Sequence, residues 1–240
     1  MLSRCIALAL TLALIVQPVA AELSANNRYA DTVMPTLSEG GKILMMPINN
    51  HTLLEPTEQA ALQKVLLKKI QGKRLTGRFA KISAEQDLEE YMHLTYIDNA
   101  PLADVKLVKQ AYVKSIGAGY DLVILPAVIA RMHKLSRMGL FADGNRINIS
   151  GRKNWFVDSK WSGQQPAYSM LLEVYSSQGE WLMTTYGGIS VPSYANYKTK
   201  TFIRKKDLFK NPSDMAILKE GVAIALKAIF KKIEIEVKER

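Results

Sequence analysis

The sequence has only one cysteine, Cys5, among its 240 residues. This cysteine lies in an apolar run at the N-terminus, so the chain beyond that run contains no thiol. Disulfides, zinc thiolate sites and cysteine nucleophiles are therefore excluded from the rest of the protein. Small eukaryotic secreted domains usually depend on disulfides, and a cysteine-free domain of this size is more typical of a bacterial periplasm.

Catalytic motifs are also lacking. The sequence contains no Gly-x-Ser-x-Gly elbow and no P-loop, and its Gly-Ala-Gly segment at 117–119 precedes an apolar run instead of opening a helix. The three histidines, His51, His93 and His133, have no second ligand at metal-binding spacing. We therefore predict no enzyme activity, no metal and no cofactor. A serine–histidine–aspartate site built from distant residues stays open.

The first 21 residues have the pattern of a secretory signal peptide. Arg4 supplies a positive charge, residues 5–16 form a nearly unbroken apolar run, and small residues at 19–21 suit a signal peptidase. The run is too short to span a membrane comfortably. Cleavage after Ala21 would leave 219 residues, whereas an uncleaved N-terminal anchor is the alternative. Because Cys5 lies far ahead of the cleavage point, the sequence does not predict a lipoprotein.

Positive charge is in excess. The chain has 32 basic and 22 acidic residues and a net charge of +10, which becomes +9 without Arg4. Outside the cytoplasm such a surface can bind anionic lipid, acidic glycan or an acidic protein, and predicted export argues against nucleic acid. The alternative is that the charge only maintains solubility. An apolar content of 48% predicts a folded domain, and no later apolar run approaches the length of a membrane span.

Three short apolar runs predict strands. After a weakly patterned lead-in at 22–41, these runs lie at 42–48, 79–83 and 121–130. The third is the most hydrophobic run after the signal peptide and predicts a central strand. Pro126 interrupts it, and we place this proline at a bulge or bend because it cannot donate to a sheet ladder.

Helical periodicity separates these runs. Thr52 and Glu55 have the spacing of a capping box, which predicts a helix that starts near Pro56. Two further helices are predicted, one at 83–94 from the capping-box spacing of Ser83 and Gln86 and one at 101–116 from apolar residues at helical spacing. Ser213 is predicted to cap a final amphipathic helix.

The chain between the central strand and the final helix predicts β structure. From residue 131 it is polar and basic with interspersed aromatics, and residues 136–166 predict a long β hairpin or excursion. Two apolar runs at 167–175 and 180–191 then flank Ser-Ser-Gln-Gly, the clearest hairpin signal in the sequence. Residues 193–212 form a basic connector.

This order of elements predicts an α+β or α/β fold, with a single mixed sheet, helices packed on it, a long β excursion and a late hairpin. We divide the chain into a signal peptide at 1–21, a lead-in at 22–41 and one domain at 42–235 that contains the excursion at 136–166.

Four segments, in this order, resemble the small α/β domain shared by the N-terminal domain of TolB, the curli secretion protein CsgG and the penicillin-binding-protein activator LpoB. The resemblance covers residues 42–135 and 167–233. The opening strand and turn, the Gly-Ala-Asp-like segment before the central strand, the late hairpin and the closing helix correspond to residues 42–52, 117–124, 170–187 and 216–233.

The resemblance implies a non-enzymatic assembly or accessory role in the bacterial envelope, through protein contacts in a secretion, motor, transport or cell-wall complex. The signal-peptide pattern predicts a periplasmic location, peripheral at the outer membrane, and the resemblance implies envelope proteins or a second copy of the chain as partners. The chain departs from the group in lacking a lipidation cysteine and in the length of its excursion. The alternative is a periplasmic binding module for an anionic glycan or lipid, and an enzyme ranks third.

Two sets of residues are candidate binding surfaces. Aromatic and basic side chains of the excursion are either exposed partner-binding anchors or a cover for the sheet. They are Phe141, Arg146, Arg152, Lys153, Trp155, Phe156 and Trp161. Basic side chains of the connector form either a surface for anions or a solvated loop. They are Lys198, Lys200, Arg204, Lys205, Lys206 and Lys210.

Overall fold

A computed structural model describes residues 25–31, 42–71, 102–136, 139–149, 163–196, 199 and 201–238. The predicted signal peptide, the strand at 79–83 and the helix at 83–94 lie outside the described residues. The described elements, in chain order, are β1 (Arg28–Tyr29), β2 (Ile43–Met45), α1 (Pro56–Gln71), α2 (Leu102–Ile116), β3 (Leu122–Ser136), β4 (Gly139–Ala142), β5 (Asn145–Ile147), β6 (Gln164–Ser176), β7 (Trp181–Ser190), β8 (Ser193–Asn196), β9 (Thr201–Arg204) and α3 (Pro212–Lys238).

Seven of the described strands form one mixed sheet. Its order is β1-β7-β6-β3-β4-β5, and β2 pairs with β3 outside this path. The β2–β3 pair is parallel, and the other pairs in the sheet are antiparallel. The predicted α+β class with a mixed sheet is therefore confirmed. The basic connector is more ordered than predicted, because β8 and β9 pair as a separate two-stranded hairpin.

Pro126 lies inside one continuous central strand. The ladder between β3 and β6 runs through Pro126 without a register shift. The irregularity lies on the opposite edge, where Met46 donates its N–H to Ile124 O and Asn49 donates to Pro126 O, each at 3.0 Å. The two donors are three positions apart in the sequence and the two acceptors are two positions apart, so the extra residue is on the β2 side. The predicted bulge was thus placed on the wrong strand.

The late hairpin is confirmed, and its first strand, β6, is longer than the apolar run that predicted it. The turn at 176–180 closes through a hydrogen bond of 3.0 Å from Gly179 N to Ser176 O, and the φ of Gly179, +82°, is left-handed. Strands β3 and β6 stay paired out to Lys134 and Gln164. The polar residues from 131 to 136 therefore continue β3 up to the predicted start of the excursion, because this end of the sheet has a face in solvent.

The main hydrophobic core lies between one face of the sheet and helices α1 and α3. Fully buried members include Leu62 and Leu66 of α1, Ile124 and Met170 of the sheet, and Val222 of α3. Burial of one such side chain contributes about 1.5–3 kcal/mol relative to its exposure. Among the described residues no helix is long and apolar enough to cross a membrane.

Two smaller clusters complete the packing. On the opposite face of the sheet, Val113 of α2 packs with Leu125 of β3. The β4–β5 hairpin buries Leu140 and Ile147 in a third cluster with Ala167 of β6. This last cluster means that one side of the predicted excursion covers the sheet.

The helix caps differ from those that the sequence predicted. Glu55, not Thr52, precedes α1, and its N–H donates to Oε2 of Glu58 at 3.0 Å. Asn211, not Ser213, caps α3. Both predicted caps sat two to three residues from the true cap, because Thr52 is in the left-handed region and Ser213 is already helical.

Candidate functional site

A cavity of about 430 Å³ lies where the start of α1, strand β6 and the end of the β8–β9 hairpin meet. Its volume is in the range of small-molecule binding sites, about 300–1,000 Å³. We call it the basic cavity, and its lining is Leu53, Glu55, Glu58, Tyr168, Pro192, Arg204, Lys205, Lys206 and Leu208.

One carboxylate of the cavity wall is committed to holding the fold. Glu58 is buried in the first turn of α1. Its Oε1 accepts a hydrogen bond of 2.7 Å from Leu208 N, and its Oε2 accepts one of 3.0 Å from Glu55 N. Glu58 therefore ties the segment after β9 to α1, across 150 residues of sequence. These two backbone donors partly stabilise the negative charge of Glu58.

The three cations of the wall are not equivalent. Lys205 Nζ lies 2.7 Å from Oδ1 of Asp214, and both side chains are largely buried. Arg204 and Lys206 are exposed, and their side chains form no ion pair with any described residue. Arg204 and Lys206 thus place two positive charges at the cavity edge outside any ion pair of the described residues, whereas Lys205 serves mainly to neutralise Asp214. The lining also contains the carboxylates of Glu55 and Glu58.

Tyr168 adds an aromatic wall with a polar tip. It is only 8% exposed, and burial raises the pKa of its hydroxyl, an effect that Arg204 opposes and Glu58 reinforces. The hydroxyl is therefore protonated at neutral pH and can act as a hydrogen-bond donor. No histidine, serine or cysteine is among the described residues that line the cavity. Its groups can hold an anion, but they include no paired nucleophile and base.

A second polar cluster surrounds Asp143, in the tight turn between β4 and β5. The carboxylate is fully buried. Its Oδ2 accepts a hydrogen bond of 2.6 Å from Ser169 Oγ, and its Oδ1 accepts one of 2.6 Å from Asn26 Nδ2. Arg131 Nη1 lies 3.5 Å from Oδ1, and His133 Nε2 lies 3.7 Å from Oδ2. We call this set the Asp143 cluster.

The Asp143 cluster brings a serine, a histidine and an aspartate together without forming a catalytic triad. In a triad the histidine lies between the other two, and the serine donates to the imidazole. Here Ser169 is fully buried and donates directly to Asp143. Burial lowers the pKa of His133. The cluster fixes the β4–β5 hairpin and the N-terminal segment to the sheet.

The predicted partner-binding set is only partly described. Phe141 and Arg146 are cross-strand partners on β4 and β5, and the guanidinium carbon of Arg146 lies 6.0 Å from the centre of the Phe141 ring. Phe141 is 56% exposed, while the neighbouring Leu140 is fully buried. One face of this hairpin therefore covers the sheet and the other is exposed, and partner binding by the exposed face stays a prediction. The remaining members, Arg152, Lys153, Trp155, Phe156 and Trp161, lie outside the described residues.

The predicted anion-binding set also divides. Arg204, Lys205 and Lys206 line the basic cavity. Lys210 does not line the cavity. It is exposed and pairs with Asp207 at 3.1 Å. Lys198 and Lys200 lie outside the described residues. The sequence did not indicate Tyr168, since a tyrosine in an apolar strand is most simply a core residue.

In the described part of the chain, no group of three or more histidine, cysteine, aspartate or glutamate residues is placed to hold a metal ion.

Comparisons with known proteins give no family. No family model and no curated protein sequence matches the chain. A PelC dodecamer from Paraburkholderia phytofirmans is similar at 11% identity and a TM-score of 0.37, over 83% of this chain and 95% of that one. The hypothetical protein CT253 from Chlamydia trachomatis is similar at 12% identity and a TM-score of 0.33, over 83% and 96% of the two chains. A neuraminyllactose-binding hemagglutinin homologue from Helicobacter pylori is similar at 10% identity and a TM-score of 0.37, over 86% and 92%. Because these scores lie below 0.5, we argue the function from the residues of the site.

Proposed function

We propose that this protein is a non-catalytic binding module of the bacterial envelope and that its basic cavity holds an acidic saccharide. The observation that carries this proposal is the pair of exposed cations, Arg204 and Lys206, which lie at the edge of a cavity of about 430 Å³ and form no ion pair with any described residue. An arginine can hold a carboxylate through two parallel hydrogen bonds, and a lysine adds a mobile second charge.

The walls favour a hydroxylated ligand over a lipid chain. Five of the nine lining residues are charged, which is unsuited to an acyl chain. The remaining wall consists of the Tyr168 ring and the side chains of Leu53, Pro192 and Leu208. A sugar ring presents apolar C–H faces and polar edges, so it can contact both kinds of wall. The carboxylate of Glu55 can accept hydrogen bonds from its hydroxyl groups.

The envelope setting comes from the sequence. It depends on the signal-peptide pattern of residues 1–21, which predicts export to the periplasm. The net charge of +10 supports attraction to the anionic polymers of that compartment.

Calorimetric titration tests the cavity directly. Galacturonate, glucuronate and mannuronate are compared with the corresponding neutral sugars, at low and high salt. We expect at least one uronate to bind and its neutral sugar to bind at least about tenfold more weakly. High salt should weaken binding of the uronate but not that of the neutral sugar. Arg204→Gln and Lys206→Gln should each weaken uronate binding, while Lys210→Gln, an equal charge change outside the cavity, should not. Absence of uronate binding, or equal loss in all three variants, would overturn the proposal.

A second candidate function is assembly through protein contacts, which the exposed Phe141–Arg146 pair favours. An exposed aromatic side chain beside an arginine is typical of binding hot spots. This candidate keeps the resemblance to the TolB, CsgG and LpoB domain, and its partners would be envelope proteins or a second copy of the chain. Crosslinking in intact cells tests it: the double variant Phe141→Ser, Arg146→Ser should lose crosslinked partners that wild type retains. An unchanged set of partners would count against it.

A further inference from the structure

The sheet face that forms one wall of the basic cavity continues beyond it. Strands β3 and β6 place Tyr168 opposite Ala130, Pro166 opposite Met132 and Gln164 opposite Lys134. Paired residues of an antiparallel ladder lie on the same face, and every second residue along each strand returns to it. These side chains therefore form one continuous row that starts at the cavity. We call the part beyond Tyr168 the sheet strip, which consists of Ala130, Met132, Lys134, Gln164 and Pro166.

Among the described residues, the cover over this face ends near the cavity. Val128 and Met170, the preceding pair of the ladder, are fully buried in the main core. Past Tyr168, Ala130, Lys134 and Gln164 are exposed, and Met132 is 58% exposed. At about 3.3 Å per residue, the strip extends roughly 13 Å from Ala130 to Lys134.

Charge is placed at both ends of this row. Arg204 and Lys206 lie at the cavity, and Lys134 lies at the far end of the strip, with the apolar surface of Met132 and Pro166 between them. Lys134 forms no ion pair with any described residue. A single acidic sugar could meet only one of these ends, whereas a chain with a repeated carboxylate could meet both.

We infer that the sheet strip is a second part of the same site and that the ligand is an acidic oligosaccharide chain. One acidic unit occupies the basic cavity, and the following units lie along the strip, with a later carboxylate near Lys134. This inference rests on the proposed function of the cavity. It adds a direction, from the cavity toward Gln164, and a minimum ligand length of more than one unit.

The experiment compares a uronate that binds the cavity with its linear tetramer. Four equivalent units give a statistical gain of fourfold. We expect wild type to bind the tetramer about tenfold more tightly than that gain explains. Met132→Ser and Lys134→Gln should each remove most of the extra gain and leave monomer affinity unchanged, because both residues lie outside the cavity. Lys210→Gln is the charge-matched control and should alter neither affinity.

The outcomes separate the two proposals. If the monomer binds and the tetramer gains no more than fourfold, the strip is not part of the site and the cavity proposal stands. If neither binds, the cavity proposal fails and the inference fails with it. Sedimentation tests whether a second copy of the chain covers the strip instead. Self-association of wild type that Met132→Asp abolishes would assign the strip to that second copy and overturn the inference. Because Met132 and Lys134 are exposed, thermal unfolding should show that the variants fold as wild type does.

Discussion

Ser169 donates its hydroxyl hydrogen to Oδ2 of Asp143 over 2.6 Å, although 26 residues separate them in the sequence. Ser169 belongs to β6, near the middle of the sheet, and Asp143 to the turn of the β4–β5 hairpin. The bond therefore fastens the tip of the hairpin to the sheet. Asn26 reaches the other carboxylate oxygen from the N-terminal segment, so one buried carboxylate joins three distant parts of the chain.

Replacing the Asp143 carboxylate should destabilise the protein more than replacing an exposed carboxylate. We expect Asp143→Ala to lower the free energy of unfolding by about 3 kcal/mol, since it leaves the buried donor of Ser169 and the half-buried donor of Asn26 without their acceptor. Asp207→Ala removes an exposed carboxylate that pairs with Lys210, and should change stability by less than about 0.5 kcal/mol. Urea unfolding measures both. Equal effects would show that the Asp143 cluster contributes little to stability.

The same cluster should make stability depend on pH through His133. Burial lowers the pKa of His133 from its ordinary value of 6.5, Asp143 opposes this shift and Arg131 adds to it. The unfolded chain then binds the proton more readily than the folded one. Stability from this group is complete above about pH 6.5 and is lost as the pH falls toward the lowered folded pKa, with a slope of at most about 1.4 kcal/mol per pH unit.

Unfolding measured between pH 7.5 and 5.5 tests this dependence. His51 must be included, because burial, and after it Lys109, lowers its pKa as well, so it adds a dependence of the same sign. We expect wild type to lose stability over this range, and both His133→Gln and His51→Gln to lose less. The comparison concerns the slopes, which are independent of any constant cost of each substitution. A His133→Gln slope equal to that of wild type would contradict the prediction.

The strands were predictable where one physical signal determined them. The apolar run at 121–130 and the Ser-Ser-Gln-Gly turn were sufficient for β3 and the β6–β7 hairpin. Burial of Asp143 was not predictable, since an Asp-Gly-Asn segment has the composition of an exposed turn. Its partners Asn26 and Ser169 lie 117 and 26 residues away, so only the folded chain brings them together.

The candidate site shows the same division. Charge density along the connector indicated Arg204, Lys205 and Lys206, and all three line the cavity. The pattern could not distinguish Lys205, which is neutralised by Asp214, from its two neighbours. That difference depends on where the first turn of α3 packs, which is a tertiary property.

Close packing of α3 on β7 gives a third prediction. A Cβ atom at Gly187 would overlap the backbone oxygen of Gly221, and the Thr185 hydroxyl donates to Ala225 O at 2.9 Å beside this contact. We expect Gly187→Ala to cost about 3 kcal/mol, because the helix must move away from the strand. Gly119→Ala is the control: it meets nothing within 4 Å, and only its φ of +84° opposes a side chain.

Gly119→Ala should therefore cost about 1 kcal/mol, from backbone strain alone. Denaturant unfolding compares the two variants, and failure of Gly187→Ala to fold would be the stronger form of the expected result. Equal costs at the two positions would mean that α3 yields easily, and that the helix does not need glycine to approach β7.

The start of α3 provides the last prediction, because the sequence and the structure place its cap at different residues. Asn211 Oδ1 accepts a hydrogen bond of 2.8 Å from Asp214 N, and Asn211 Nδ2 donates to Oδ2 of Asp214 at 2.6 Å. Pro212 then occupies the first helical position, where its missing N–H costs nothing. The neighbouring Ser213, which the sequence favoured, lies inside the helix and is exposed.

We expect Asn211→Ala to lower the free energy of unfolding by about 1 kcal/mol, the usual effect of removing an N-cap. Ser213→Ala should change it by less than about 0.5 kcal/mol, since an exposed helical serine gains nothing that alanine lacks. Asn211→Asp retains an acceptor for Asp214 N but replaces a donor with a second negative charge. Its loss of unfolding free energy should therefore be smaller than that of Asn211→Ala. A larger loss for Ser213→Ala than for Asn211→Ala would return the cap to Ser213 and move the start of the helix with it.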